Sequence, residues 1–155
     1  GMTEIIRLEL DAALAGALRT KPVLAMCVGM QALMTQSEES GGVECLGYLS
    51  GNVRRFRGGT VKGTRLKVPH MGWNEVHQTK SHALWRGIEQ NARMYFVHSY
   101  YVEVESDALN AGTCNYGVPF SAAIECENLF AVQFHPEKSA GDGLKMLENF
   151  AQWNI

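Results

Sequence analysis

No stretch of this sequence is apolar for long enough to cross a membrane as a helix. Its apolar runs, such as residues 22–26 and 94–97, fall far below the ~20 residues a span requires. Clustered positive charge is equally scarce. Fourteen Lys and Arg stand against sixteen Asp and Glu for a formal net charge of −2, and the cations are scattered apart from Arg54, Arg55 and Arg57. That small group reads as a solvated edge or loop, and a basic stripe able to displace counterions from nucleic acid is missing, so no nucleic-acid partner and no membrane association are expected.

Cysteine is sparse as well. Cys27, Cys45, Cys114 and Cys126 show no CxxC spacing and no His-rich partner tract, which speaks against a zinc site. His70, His77 and His82 fit no common ligand spacing and lack an accompanying carboxylate cluster, so no metal is expected there. The sequence given shows no basic n-region followed by an apolar h-region, which makes the cytoplasm the default compartment and disulfides unexpected. Repeats, low-complexity tracts and linkers are also missing, and 155 residues suit a single domain, 1–155.

What is present is an alternation of helical and strand patterns. Residues 3–19 place Ile6, Leu10, Ala13, Leu14, Ala17 and Leu18 at helical spacing, an amphipathic helix. Residues 22–26 read as a strand buried on both faces, and helical composition resumes over 29–36. From 41 to about 78, short β-prone runs are broken by glycine-rich turns. Residues 94–104 alternate with period two, as one long strand or a pair. Strands follow at 120–126 and 129–134, and 142–153 closes with an amphipathic helix. Helix, strand, sharp turn and helix in that order indicate an α/β fold.

Cys27 sits where the buried strand meets the next helix, in Ala25-Met26-Cys27-Val28-Gly29. Small residues two before and two after suit a tight strand-to-helix turn that lifts a nucleophile into an exposed position. A helix N-terminus behind it would favour the thiolate. The alternative reading is a buried structural cysteine. A second signal comes from Gln133-Phe134-His135-Pro136-Glu137, where a histidine leaves a strand and a carboxylate follows two positions on. His135 is a candidate base for the thiol proton, with Glu137 to orient it. Taken alone, His-Pro-Glu is an ordinary loop; the two signals together point to acyl transfer through a thioester.

These residues resemble the Cys-His-Glu triad of class I glutamine amidotransferases, whose nucleophile lies in a Gly-x-Cys-x-Gly pattern. Residues 47–53, Pro69-His70-Met71-Gly72-Trp73-Asn74, the run 95–101 and the run 133–139 are similar to a narrower group within that family, the glutaminase subunits of imidazole glycerol phosphate synthases. The resemblance implies a three-layer α/β fold with a mostly parallel twisted sheet, flanking helices and an added antiparallel region. It also implies glutamine hydrolysis without a cofactor, ammonia passing to a (β/α)8-barrel cyclase subunit, and a place in histidine biosynthesis. Carried over residue by residue, it makes Cys27, His135 and Glu137 catalytic and Val28 the oxyanion donor. Gln31, His98, Ser99 and Tyr100 would hold substrate, and Trp73, Tyr95 and Lys138 would face the cyclase. Read from the residues alone, Gln31 would be an exposed helix residue, His98 a core histidine, Trp73 an exposed aromatic and Lys138 a surface charge.

Two departures from the family bear on activity. Ala25 stands where the family usually has glycine, a small intrusion on the turn. The resemblance also begins at a helix that in the family follows the first strand, first helix, second strand and a Pro-Gly-Val-Gly loop, roughly 40 to 50 residues by ordinary element lengths. The expectation is therefore an N-terminally truncated domain holding the triad but one of two oxyanion donors, with little glutaminase activity and a tendency to self-associate. The competing reading is a catalytically silent homologue acting as a binding or assembly module. A third, a Cys-His protease or a glutaminase for another acceptor, leaves the run 69–74 unexplained.

Overall fold

A computed structural model describes residues 4–154, with side chains from residue 11 onward. Helix α1 (Glu4–Thr20) is followed by strand β1 (Val23–Met26) and the five-residue helix α2 (Val28–Ala32). The expected helix over 29–36 is thus shorter: Leu33 and Met34 turn down into the core and residues 36–37 are already extended. Strands β2 (Gln36–Ser37), β3 (Val43–Glu44), β4 (Gly51–Arg55), β5 (Gly59–Val61), β6 (Thr64–Leu66), β7 (His70–Glu75) and β8 (His77–Gln78) fill the glycine-rich region. Then come β9 (Arg93–His98), β10 (Tyr100–Val104), β11 (Asn110–Asn115), β12 (Pro119–Cys126), β13 (Leu129–Val132) and α3 (Ala140–Gln152).

The main sheet runs β1-β13-β12-β10-β4-β2-β3, with β11 pairing both β12 and β8. The α/β class with flanking helices is as expected, but the sheet is mixed. Among the described residues, β1 pairs parallel with β13 and β2 with β4, and the other ladders of this sheet are antiparallel. The reason is connection length, since β12 and β13 are joined by Glu127 and Asn128 alone and so short a link closes only an antiparallel hairpin.

Alternation along the central strands sorts side chains onto two faces. Leu129 and Ala131 of β13 and Val102 of β10 join the cluster that Leu14 and Leu18 of α1 cover. Phe130 and Val132, with Phe96, Phe120 and Phe134, join the one that Met146 and Phe150 of α3 cover. Helix, sheet and helix therefore make three layers. The apolar stripe of α1 predicted at Ile6 and Leu10 lies outside the described side chains.

The period-two run 94–104 is a pair of strands in different sheets. β10 joins the main sheet, whereas β9 forms a separate two-stranded sheet with β7, antiparallel, with His70 opposite His98 and Trp73 opposite Tyr95. One face of this ribbon is buried and carries His70, Met94, Phe96 and His98; the other is half-exposed or exposed and carries Met71, Trp73, Tyr95 and Val97. Among the described residues no helix is long and apolar enough to cross a membrane.

Candidate active site

Cys27 closes β1 and precedes α2 with φ 51° and ψ −109°. This left-handed conformation costs a non-glycine residue on the order of 1–3 kcal/mol and persists only where the surroundings impose it. They do so here: the Cys27 N–H donates to Val132 O at 2.8 Å, which ties the turn to the end of β13. The small neighbours read from the sequence face each other without crowding, since a Cβ placed on Gly29 would stand in ordinary contact, 3.6 Å from the Ala25 methyl. Ala25 therefore fits.

The thiol is half-buried. Burial pushes its pKa up, and hydrogen bonds from the Val28 N–H and the Gln133 amide only partly oppose this. Glu137 pushes the same way and Lys138 against it. The expectation that the helix N-terminus would hold Cys27 as a thiolate is thus corrected: a five-residue helix brings little dipole, and desolvation outweighs it. The resting group is a thiol that needs a base.

His135 leaves the strand run after Phe134, and its Nδ1 lies 2.7 Å from Glu137 Oε1. Neutral imidazole with Nδ1–H directed to a carboxylate keeps Nε2 as the nitrogen able to take a proton. The backbone around it is pinned from three sides. The His135 N–H donates to Tyr95 O, Ser139 Oγ donates to His135 O, and the Tyr95 N–H donates to Ser139 Oγ. Gly143 of α3 packs beneath, where an added Cβ would lie 1.9 Å from Pro136 O. Neither Ser139 nor Gly143 stands out in the sequence.

Gln133 is another residue the sequence reading passed over. It is fully buried, donates from Nε2 to Cys27 Sγ at 3.8 Å and accepts from Gln31 Nε2 at 3.1 Å. The available signal was an uncharged amide inside an otherwise apolar strand run, where an unpaired polar group would be costly. Gln31 also donates to Tyr100 O at 3.1 Å, and His98 Nδ1 lies 2.7 Å from the same carbonyl. Of the expected substrate-holding residues, Gln31, His98 and Tyr100 are thus brought together. Ser99 is bonded elsewhere, its carbonyl accepting from the Phe56 N–H.

Val28 is 71 % exposed, with its N–H directed at the Cys27 sulfur. Trp73 is 48 % exposed and meets Tyr95 edge to face at 5.8 Å on the outer side of the β7–β9 ribbon. Lys138 is exposed in the turn after His135. His70, His77 and His82 do not converge. His70 sits in the aromatic core, His77 is on β8, and His82 accepts from the Leu84 N–H between Phe130 and Trp153. Among the described residues no group of three His, Cys, Asp or Glu is placed to hold a metal ion.

The chain is 54% identical to the imidazole glycerol phosphate synthase subunit HisH of Dechloromonas aromatica, over 98% of this chain and 71% of that protein. It is 53% identical to the subunit of the same name from Acinetobacter baylyi, over 94% and 70%. Among solved structures it resembles a glutamine amidotransferase from Thermotoga maritima, with a TM-score of 0.63 at 16% identity over 96% of this chain and 55% of that one. It also resembles the glutaminase domain of Trypanosoma brucei CTPS with bound acivicin, with a TM-score of 0.62 at 17% identity over 100% of this chain and 70% of that one. The family model of class-I glutamine amidotransferases matches residues 6–153. The chain belongs to the class-I glutamine amidotransferase family.

Proposed function

We propose that this chain is the glutaminase subunit of an imidazole glycerol phosphate synthase, with Cys27, His135 and Glu137 as its catalytic triad. The observation that carries the catalytic part is the backbone of Cys27. A structural cysteine has no use for a left-handed turn, whereas a nucleophile that must stand clear of its strand does.

In this reading glutamine presents its side-chain amide to Sγ. His135 Nε2 takes the thiol proton as sulfur attacks the carbonyl carbon, and Glu137 stabilises the imidazolium through Nδ1–H. The negative charge that develops on the amide oxygen faces the Val28 N–H. Collapse breaks the C–N bond, with the imidazolium proton going to the departing nitrogen, so ammonia leaves and a glutamyl thioester remains. Water, deprotonated by His135, then releases glutamate and returns the thiol.

Gln31 and the segment 98–100 face the amino-acid end of the substrate, and the ammonia passes to a (β/α)8-barrel cyclase subunit. Trp73, Tyr95 and Lys138 form part of the surface that meets it: the two aromatic rings and the charge have the composition of an interface hot spot. Support comes from two directions, the site geometry and the identity to HisH subunits over nearly the whole chain.

The test is ammonia and glutamate production from glutamine by this chain with a purified cyclase subunit, compared with Cys27→Ala. Release that depends on Cys27 supports the reading. Equal release by both proteins, or a failure of the diazoketone analogue of glutamine to label Cys27, contradicts it.

A further inference from the structure

The hydrogen bonds that converge on the Tyr100 carbonyl have one consistent set of directions. His98 Nδ1 lies 2.7 Å from that carbonyl, which can only accept, so Nδ1 carries the proton. Burial holds His98 neutral near pH 7, with its pKa lowered to about 4, and a neutral ring with Nδ1–H has an accepting Nε2. The group 2.9 Å from that Nε2 is His70 Nδ1, which must therefore donate. His70 is also held neutral by burial, its pKa lowered to about 4, so its Nε2 accepts. The Asn74 amide supplies that hydrogen at 3.2 Å and sends its second to Asn115 O at 3.0 Å. On the far side, Gln31 Nε2 divides its two hydrogens between Tyr100 O and Gln133 Oε1, and Gln133 Nε2 donates to Cys27 Sγ.

Asn74 and His70 lie on β7, in the ribbon whose outer face carries Trp73. Neither was given a role by the triad chemistry. We propose that His70 and Asn74 are positioning residues: they lock His98 in the Nδ1–H tautomer and thereby fix the Tyr100 carbonyl and Gln31 for the amino-acid end of glutamine. This rests on the glutaminase reading above and extends it to two residues beyond those that touch substrate.

The alternative is that His70 only fills space. It stacks on Phe96 at 5.0 Å and on Tyr116 at 4.0 Å, both at 24°, and a phenylalanine would preserve those contacts while removing the donor. His70→Phe separates packing from donation. His70→Asn is the conservative counterpart, since its amide can place a hydrogen where Nδ1–H stood.

Two readouts decide the matter. In nitrogen-15 spectra of the histidine-labelled full chain at pH 7, His70 and His98 should each show a protonated Nδ1 and an unprotonated Nε2, and Asn74→Asp should place a proton on His70 Nε2. In ammonia release with the cyclase subunit, His70→Phe should raise KM for glutamine tenfold or more and change kcat by less than threefold, with His70→Asn recovering most of the loss. An Nε2–H tautomer at His98, an unchanged KM in His70→Phe, or a His70→Asn variant no better than His70→Phe overturns the proposal. If His70→Phe does not fold, the spectrum of the parent chain and the kinetics of His70→Asn and Asn74→Asp still decide it. The spectrum needs no glutamine, so wrong tautomers count against the relay whatever the activity. Release that is unchanged in Cys27→Ala counts against the glutaminase reading whatever the tautomers.

Discussion

His135 Nδ1 lies 2.7 Å from Glu137 Oε1, two residues apart across a single turn held by Ser139 and Tyr95. With Nδ1 committed in this way, Nε2 takes and returns the proton. His135→Ala should therefore lower the rate of glutamine hydrolysis on the order of 10²-fold or more, and Glu137→Gln by a smaller factor, since the amide can still orient the ring but cannot stabilise its charge. Measured kcat values that leave either variant at the parent rate would remove that residue from the triad.

Gly143→Ala should act on the same turn from below. The new methyl would collide with Pro136 O and Ser139 Cβ, at 1.9 and 2.7 Å, so the turn bearing His135 and Glu137 must shift. The overpacking should lower stability by roughly 1–3 kcal/mol in spite of alanine's better helix propensity. Denaturant melts together with kcat check it: an alanine variant as stable and as active as the parent would show that the turn yields without consequence.

The buried imidazoles make stability depend on pH. His70 and His98 titrate at about 4 in the folded chain, against about 6.5 when unfolded. Between those values the unfolded chain binds protons that the folded chain does not, so stability falls as pH drops from about 6.5 towards 4. The slope is up to ~1.4 kcal/mol per pH unit for each imidazole, and above about pH 7 neither contributes. Urea unfolding at pH 5 and pH 7 should show this loss, smaller in His70→Phe. An equal loss in parent and variant would mean that His70 is not excluded from protonation.

Trp73 lends itself to a cleaner surface test because it is half exposed and meets Tyr95 edge to face. Trp73→Ala should leave the melting temperature nearly unchanged and weaken binding to a cyclase subunit by roughly 1 kcal/mol or more, with Lys138→Glu weakening it as well. Unchanged affinity in both variants would take this face out of the interface.

The parts legible in the sequence are those where one strand pattern or one short motif carried the information. The strand before Cys27, the central hairpin strands and the His-Pro-Glu turn belong to this class, although that strand, expected to be buried on both faces, is half-buried at the end of the sheet order with Met26 40 % exposed. Strand β11 did not announce itself, because Asn-Ala-Gly-Thr-Cys-Asn is poor in strand formers and is recruited by two neighbours, β12 and β8. The split of residues 94–104 between two sheets was hidden for another reason: the alternation runs on through Ser99 while the pairing partner changes. Gln133, Ser139 and His70 escaped because their roles depend on partners far away in the chain, which spacing does not record. The state of Cys27 was misjudged because a helix start can be read from a sequence, while the desolvation that outweighs it cannot.

The central claim is that glutamine is attacked by Cys27, and covalent trapping tests it most directly. The folded chain, with a cyclase subunit present, is treated at neutral pH with the diazoketone analogue of glutamine, and the adduct is mapped by mass spectrometry with and without excess glutamine. The account predicts one adduct on Cys27, suppressed by glutamine, and none on Cys114, whose thiol is buried with its pKa pushed up to about 12. Labelling of Cys45, Cys114 or Cys126 in preference to Cys27, or labelling of Cys27 that glutamine does not suppress, would contradict it.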